Sequence, residues 1–183
     1  MNGLVVVDTN VPIAANGGDE VPPDCALVCA GAVREVMESR RRLALDDGWR
    51  IIGEYMHKLR ADGQPGWGDR FLKWVLNNQA NAACCELVTL TPRDEEAGEF
   101  EEFPAAPGLE TFDRSDRKFV AVANAHATKP PILQALDSKW WGWREALAGA
   151  GISVEFLCPE EVRAAYERKF GAPAGALGKE RRG

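Results

Sequence analysis

Acidic residues recur in this chain where one apolar pattern gives way to another. Asp8 ends the run Leu4-Val5-Val6-Val7, Asp46 and Asp47 end Leu43-Ala44-Leu45, and Asp137 follows Ile132-Leu133-Gln134-Ala135-Leu136. Asp116 stands before an apolar helical pattern, and Glu54 lies two helical turns beyond Asp47. Carboxylates gathered without a cation repel one another until some protonate, whereas a hard divalent ion with oxygen ligands stabilises the ionised cluster. Magnesium or manganese is the ion such a set implies.

The elements must then bring these acids to one place. The β-branched run ending at Asp8 reads as a central strand buried on both faces. Further strands are expected over 43–45, 85–90, 132–136 and 152–157. Between them the pattern predicts helices over 25–41, with Asp24 as cap, and over 49–59, 69–79 and 139–150. One more is capped by Ser115-Asp116, and another runs from Pro159 to about 170. Gln64-Pro65-Gly66 breaks the chain. Residues 91–111 hold an acidic run, with Pro104 and Pro107 among its prolines and little periodicity, and read as a long surface loop. Strands alternating with helices imply an α/β fold in three layers, α/β/α, around a mostly parallel five-stranded sheet. The expected organisation is a single domain over 1–170 with an insertion around 62–111, followed by a flexible tail over 171–183. The functional crevice of such a sheet lies outside the carboxyl ends of its strands, the rim that the aspartates share.

Three simpler readings compete. Any one strand-end aspartate can serve as a helix cap, a reading weaker for the set than for a member. An aspartyl phosphatase or phosphotransferase also opens with an apolar strand and Asp, but the expected second Asp is replaced here by Asn10. A nucleotide-binding fold needs a glycine-rich turn, and this turn reads Asp8-Thr9-Asn10-Val11-Pro12.

The ordered acids resemble those of the PIN-domain nucleases. Val5-Val6-Val7-Asp8-Thr9-Asn10 is similar to that family's opening strand and its D-x-N signature. Glu54, in Ile52-Gly53-Glu54-Tyr55, resembles the acid on the helix after the second strand. Asp116, ahead of Phe119-Val120-Ala121-Val122-Ala123, resembles the third acid, and Asp137 in Leu136-Asp137-Ser138-Lys139-Trp140 the fourth-strand acid. Asp113 competes with Asp116 for the third position, and Asp46 or Asp47 could replace or support Glu54. The resemblance covers about residues 4 to 160. It implies metal-dependent hydrolysis of a phosphodiester, most often in RNA, with DNA as the other polymer. Asp8, Glu54, Asp116 and Asp137 would be catalytic, with Asp8, Asp116 and Asp137 holding Mg2+ or Mn2+. Thr9, Asn10 or Ser138 could bond a metal water or a phosphate oxygen, or simply cap a helix. The resemblance also suggests the toxic component of a toxin-antitoxin or phage-defence pair, with an antitoxin or regulatory protein, or a second copy, as partner. A PIN-like scaffold that binds RNA or protein without cutting is the alternative from another class.

Composition bounds these readings. The 183 residues carry a net charge of −6, which disfavours holding nucleic acid by bulk electrostatics. Six acids fall between Asp94 and Glu102, however, and without them the chain is neutral, so Arg40-Arg41-Arg42, Lys58 with Arg60, and the basic C-terminal end are candidate local contacts. No apolar run approaches the ~20 residues that cross a bilayer, and the opening residues lack a secretory pattern, so a cytoplasmic protein is expected. The five cysteines are expected as reduced, buried thiols, and the two histidines stand at no zinc-site spacing from a cysteine pair. Most of the tryptophans read as core or interface; Trp140 or Trp141, close to Asp137 in sequence, could instead face a substrate channel and stack on bases.

Overall fold

The computed structural model describes residues 3–62 and 66–171. The expected break at Gln64-Pro65 and the tail from residue 172, with Lys179, Arg181 and Arg182 of the basic end, lie outside the described residues.

Strand β1 (Leu4–Val7) runs parallel to β2 (Arg42–Asp46) on one side and to β6 (Ile132–Gln134) on the other. β2 pairs in parallel with β3 (Cys85–Val88), and β6 with β7 (Val154–Phe156). The five-stranded order is β3-β2-β1-β6-β7, flanked by helices, which is the three-layer α/β/α architecture expected from the alternating pattern. The chain first winds outward from β1 to β3, then returns to the other side of β1 as β6. The boundary between β1 and β6 is therefore the topological switch point, where open parallel sheets offer a crevice at their carboxyl ends. Asp8 and Asp137 follow these two strands.

The helices are α1 (Asn10–Ala15), α2 (Pro23–Met37), α3 (Arg50–Lys58), α4 (Trp67–Asn78), α5 (Arg117–Ala125), α6 (Ser138–Gly149) and α7 (Pro159–Phe170). Val5, Val6 and Val7 are fully buried, as a central strand covered on both faces requires, and they join Leu43, Leu45, Ile52, Phe119 and Val120 in one core. No helix among the described residues is long and apolar enough to cross a membrane.

The local expectations need four corrections. Asp24 does not cap α2: Pro22 occupies that position without a side-chain bond, and Asp24 falls inside the first turn, where its charge suits the helix dipole. The segment 91–111 is not a bare loop. It holds an antiparallel pair, β4 (Pro92–Asp94) and β5 (Glu99–Phe100), and buries Phe100 and Leu109, with Phe112 buried just beyond it. Those three hydrophobics are too widely spaced to give a periodic signal. The acidic run is tied down as well, since Arg50 donates to both carboxylate oxygens of Glu95, at 2.6 and 2.7 Å. Ser115-Asp116 does not cap α5 either. Asp113 caps a 3-10 turn over Arg114–Asp116 that leads into that helix. Finally, Cys25 on α2 and Cys158 before α7 form a disulfide across a separation of 133 residues, with their Cα atoms 5.5 Å apart, while Cys29, Cys84 and Cys85 stay free and buried. Sequence spacing cannot reveal a pairing that only tertiary proximity creates.

Candidate active site

Each acid has a strand end or helix start behind it, and the first question is whether its carboxylate is consumed by capping. For Asp46 it is. Its Oδ1 accepts the backbone N–H of Ile51 at 2.8 Å and its Oδ2 that of Arg50 at 2.9 Å, with the Arg50 guanidinium 3.2 Å away. Asp46, the fully buried last residue of β2, thus has both oxygens engaged by the first turn of α3. Asp47 is exposed at the same rim. Asp113 is likewise committed, with Oδ1 accepting from the Ser115 N–H and hydroxyl and Oδ2 paired to the Lys139 ammonium at 2.9 Å. This lysine holds the Asp113 carboxyl below its ordinary range.

Asp8 and Asp137 use one oxygen each among the described residues. Asp8 Oδ1 accepts the Asn10 N–H at 3.0 Å, and Asp137 Oδ1 accepts that of Lys139 at 3.0 Å, closing the start of α6. Asp116 sits at the start of α5 without capping it; its Oδ2 accepts the indole N–H of Trp140 at 3.0 Å. Helix capping therefore accounts for Asp46 and Asp113, and for half of Asp8 and Asp137. It leaves Asp116 unexplained.

These carboxyls act on one another electrostatically. Asp8 is 1% exposed, and burial pushes its pKa up to about 8, assisted by the charges of Asp116, Glu54 and Asp137 and opposed by the Asn10 N–H. Asp116 is raised to about 6, first by burial and then by Asp137 and Asp113, with the Trp140 N–H and Lys118 acting in the opposite direction. Asp8 thus responds to the three other acids chosen from sequence.

A carboxyl raised in the folded state keeps a proton that the unfolded chain has lost, so folding stability falls as pH rises from the ordinary carboxylate value of about 4 towards the raised one. In EDTA, the melting temperature is expected to decline between pH 5 and pH 8, a window in which Asp113, Glu86 and Glu95, with their lowered pKa values, are already ionised. Added Mn2+ should raise the melting temperature more at pH 8 than at pH 6. A thermal-shift series with a flat metal-free profile would contradict the buried cluster.

Three positioning residues were not found from sequence. Lys118 is 9% exposed; its ammonium pairs with Glu54 and donates to the Ser115 carbonyl. The signal available was a lysine two residues after Asp116 at the head of an otherwise apolar run. Trp140 is fully buried, the core placement expected for most of the tryptophans and not the channel-facing alternative; it lies edge-on to Phe112 at 5.1 Å and orients Asp116. Tyr55 is fully buried and donates its hydroxyl to the Val7 carbonyl, pinning α3, and hence the neighbouring Glu54, to the end of β1. Tyr55→Phe would leave that carbonyl without its side-chain donor and should lower stability by about 1–2 kcal/mol in urea unfolding.

Of the remaining candidates, Ser138 is buried and its Oγ accepts from Lys169 at 3.2 Å, and Asn10 contributes its backbone N–H. The hydroxyl of Thr9 is buried beside Asp8 without a hydrogen-bond partner among the described residues.

The donor set suits a hard cation, being carboxylate oxygens with an unsatisfied hydroxyl beside them. The acids do not converge as closely as sulfur does elsewhere. Among the described residues, the group of three or more potential ligands lying within 4.8 Å of one another is Cys25, Cys29 and Cys158. That group is not a metal centre in this state, because two of its sulfurs are bonded to each other and are no longer thiolates. Among the carboxyls, Glu54 is instead paired with the Lys118 ammonium. Comparison with protein families, with curated proteins and with solved structures finds no match to this chain.

Proposed function

We propose that this protein is a PIN-like, Mg2+- or Mn2+-dependent endonuclease whose substrate is single-stranded or structured RNA. The observation that supports this most is the buried Asp8 at the switch point of the sheet, its pKa pushed up by burial and by Asp116, Glu54 and Asp137. Such a group is costly to keep unless a divalent cation offsets the charge.

Asp8, Asp116 and Asp137 would hold the ion. When bound, it supplies Lewis acidity towards a phosphoryl oxygen and lowers the pKa of water in the site. The chain's own contribution is positional and electrostatic. Asp8 gives up its proton as the pocket gains positive charge, and Trp140 fixes the Asp116 carboxylate. Lys118 places an ammonium beside Glu54, where it can neutralise charge on a phosphate. In this reading no histidine is needed, and the protein acts as a toxin-type or defence effector governed by a regulatory partner or a second copy.

The Lys118–Glu54 pair also favours a second reading, a PIN-like module that binds RNA or protein without cutting, since it supplies an internal cation to one of the four acids. The experiment that separates the two is incubation of labelled single-stranded RNA with the protein and Mg2+ or Mn2+, beside Asp137→Asn. Metal-dependent cleavage lost in the variant supports the nuclease, and binding without cleavage supports the module.

A further inference from the structure

A cavity of about 430 Å³ opens beside the acids, lined by Thr111, Asp113, Lys139, Gly142, Trp143, Tyr166 and Phe170. Three of these residues are aromatic. The Tyr166 and Phe170 rings lie 4.9 Å apart on α7, and Trp143 packs on Phe112 at 4.6 Å. Phe170 is 60% exposed, so its ring is open to a ligand entering the cavity.

Gly142 helps to shape this wall. A Cβ there would come within 2.7 Å of the Tyr166 ring, so α6 has no side chain at the point where that ring rests. Two of the cavity's lining residues act electrostatically on the acidic centre. Asp113 lines it and acts on Asp116, while Lys139, bonded to Asp113, responds to the charges of Asp137 and Asp116 as well. Two cations mark this side of the rim: Lys139, whose side chain is 53% exposed, and Lys169, which reaches Ser138, the residue after Asp137.

An aromatic slot next to a lysine at the edge of an acid cluster fits a ligand that is flat and apolar on its faces and anionic along its backbone. We infer that this cavity receives an unstacked base of a single-stranded nucleic acid, with the adjoining phosphate held near Lys139 and Lys169. The inference rests on the nuclease reading and names the subsite that would set its preference for single strands. Duplex bases are already stacked and cannot enter. Stacking on Tyr166 and Phe170 is tolerant of base identity, because every base presents a π face.

The test uses the full-length Asp8→Asn protein, expected to bind strands without cutting them, and fluorescence anisotropy of short labelled RNA and DNA single strands. Each strand is compared with versions carrying one abasic position scanned along it. Phe170→Ala, at an exposed position, is expected to weaken binding of intact strands roughly 5- to 100-fold. It should leave unchanged the affinity for the strand whose abasic position falls at the cavity. Gly142→Ala, which displaces Tyr166, should do the same, whereas Lys139→Gln should weaken intact and abasic strands alike. Equal RNA and DNA losses identify the shared base as the ligand, and a loss confined to RNA assigns the slot to a ribonucleotide. Equal affinity of Phe170→Ala and its parent for every strand, or a loss that ignores the abasic position, overturns the base slot. Wild-type cleavage assayed alongside reports the nuclease reading separately, since strands can be cut without using the slot and can occupy it without being cut.

Discussion

Asp8→Asn should abolish metal-dependent cleavage while making the metal-free protein more stable. A bound cation contributes several kcal/mol of charge stabilisation to a phosphoryl-transfer barrier, so losing its central ligand is expected to cost at least ~10³-fold in rate. The stability change has the opposite sign because the buried carboxyl is raised to about 8. Between about pH 4 and pH 8 the unfolded chain gains from ionising Asp8 and the folded protein does not, whereas Asn never titrates. Its amide oxygen can still accept the Asn10 N–H that Asp8 Oδ1 accepts now. The advantage of Asn over Asp in EDTA should therefore grow with pH, reaching several degrees in melting temperature by pH 8 and vanishing near pH 4. Mn2+ should raise the wild-type melting temperature and not the variant's. An Asp8→Asn protein that is less stable than its parent at pH 8 would show that the carboxylate is a structural bond and not a strained ligand.

The sequence exposed this much of the site because of how parallel sheets are built. A strand buried on both faces is an unbroken apolar run, so the residue that ends it is conspicuous, and the fold class alone sends all such ends to one rim. Asp8 and Asp137 were legible for that reason, and their adjacency follows once β1 and β6 are seen to be neighbours. Strand order itself was not legible, since nothing in an apolar run says which neighbour it pairs with. Local spacing also could not separate Asp113 from Asp116, because both precede the same helix. What distinguishes them is tertiary: Lys139 from α6 claims Asp113, and Trp140 from α6 orients Asp116. The same limit hid Lys118 on Glu54 and the Cys25–Cys158 bond, each of which joins elements distant along the chain. The hairpin within 91–111 escaped because its strands are three and two residues long, too short for alternation to register.

Trp140 offers the sharpest test of whether Asp116 is a ligand, because it touches that acid through a single bond. Trp140→Phe keeps an aromatic ring against Phe112, now edge-on at 5.1 Å, and removes the N–H that Asp116 Oδ2 accepts at 3.0 Å. That bond is the largest influence holding the Asp116 pKa down against burial and Asp137. Without it the carboxyl rises further above 6, and at neutral pH a larger fraction carries a proton that a cation must displace. The expected loss in apparent Mn2+ affinity is roughly 10- to 100-fold, the range seen when a residue that orients a ligand is removed. The acidic limb of the pH-rate profile should move to higher pH by the same cause, and raising the pH or the metal concentration should restore much of the rate. The smaller ring also leaves a cavity, so some stability is lost in any case. A purely structural Trp140 would lower the melting temperature and leave both the metal requirement and the acidic limb in place, and that result would remove Asp116 from the ligand set.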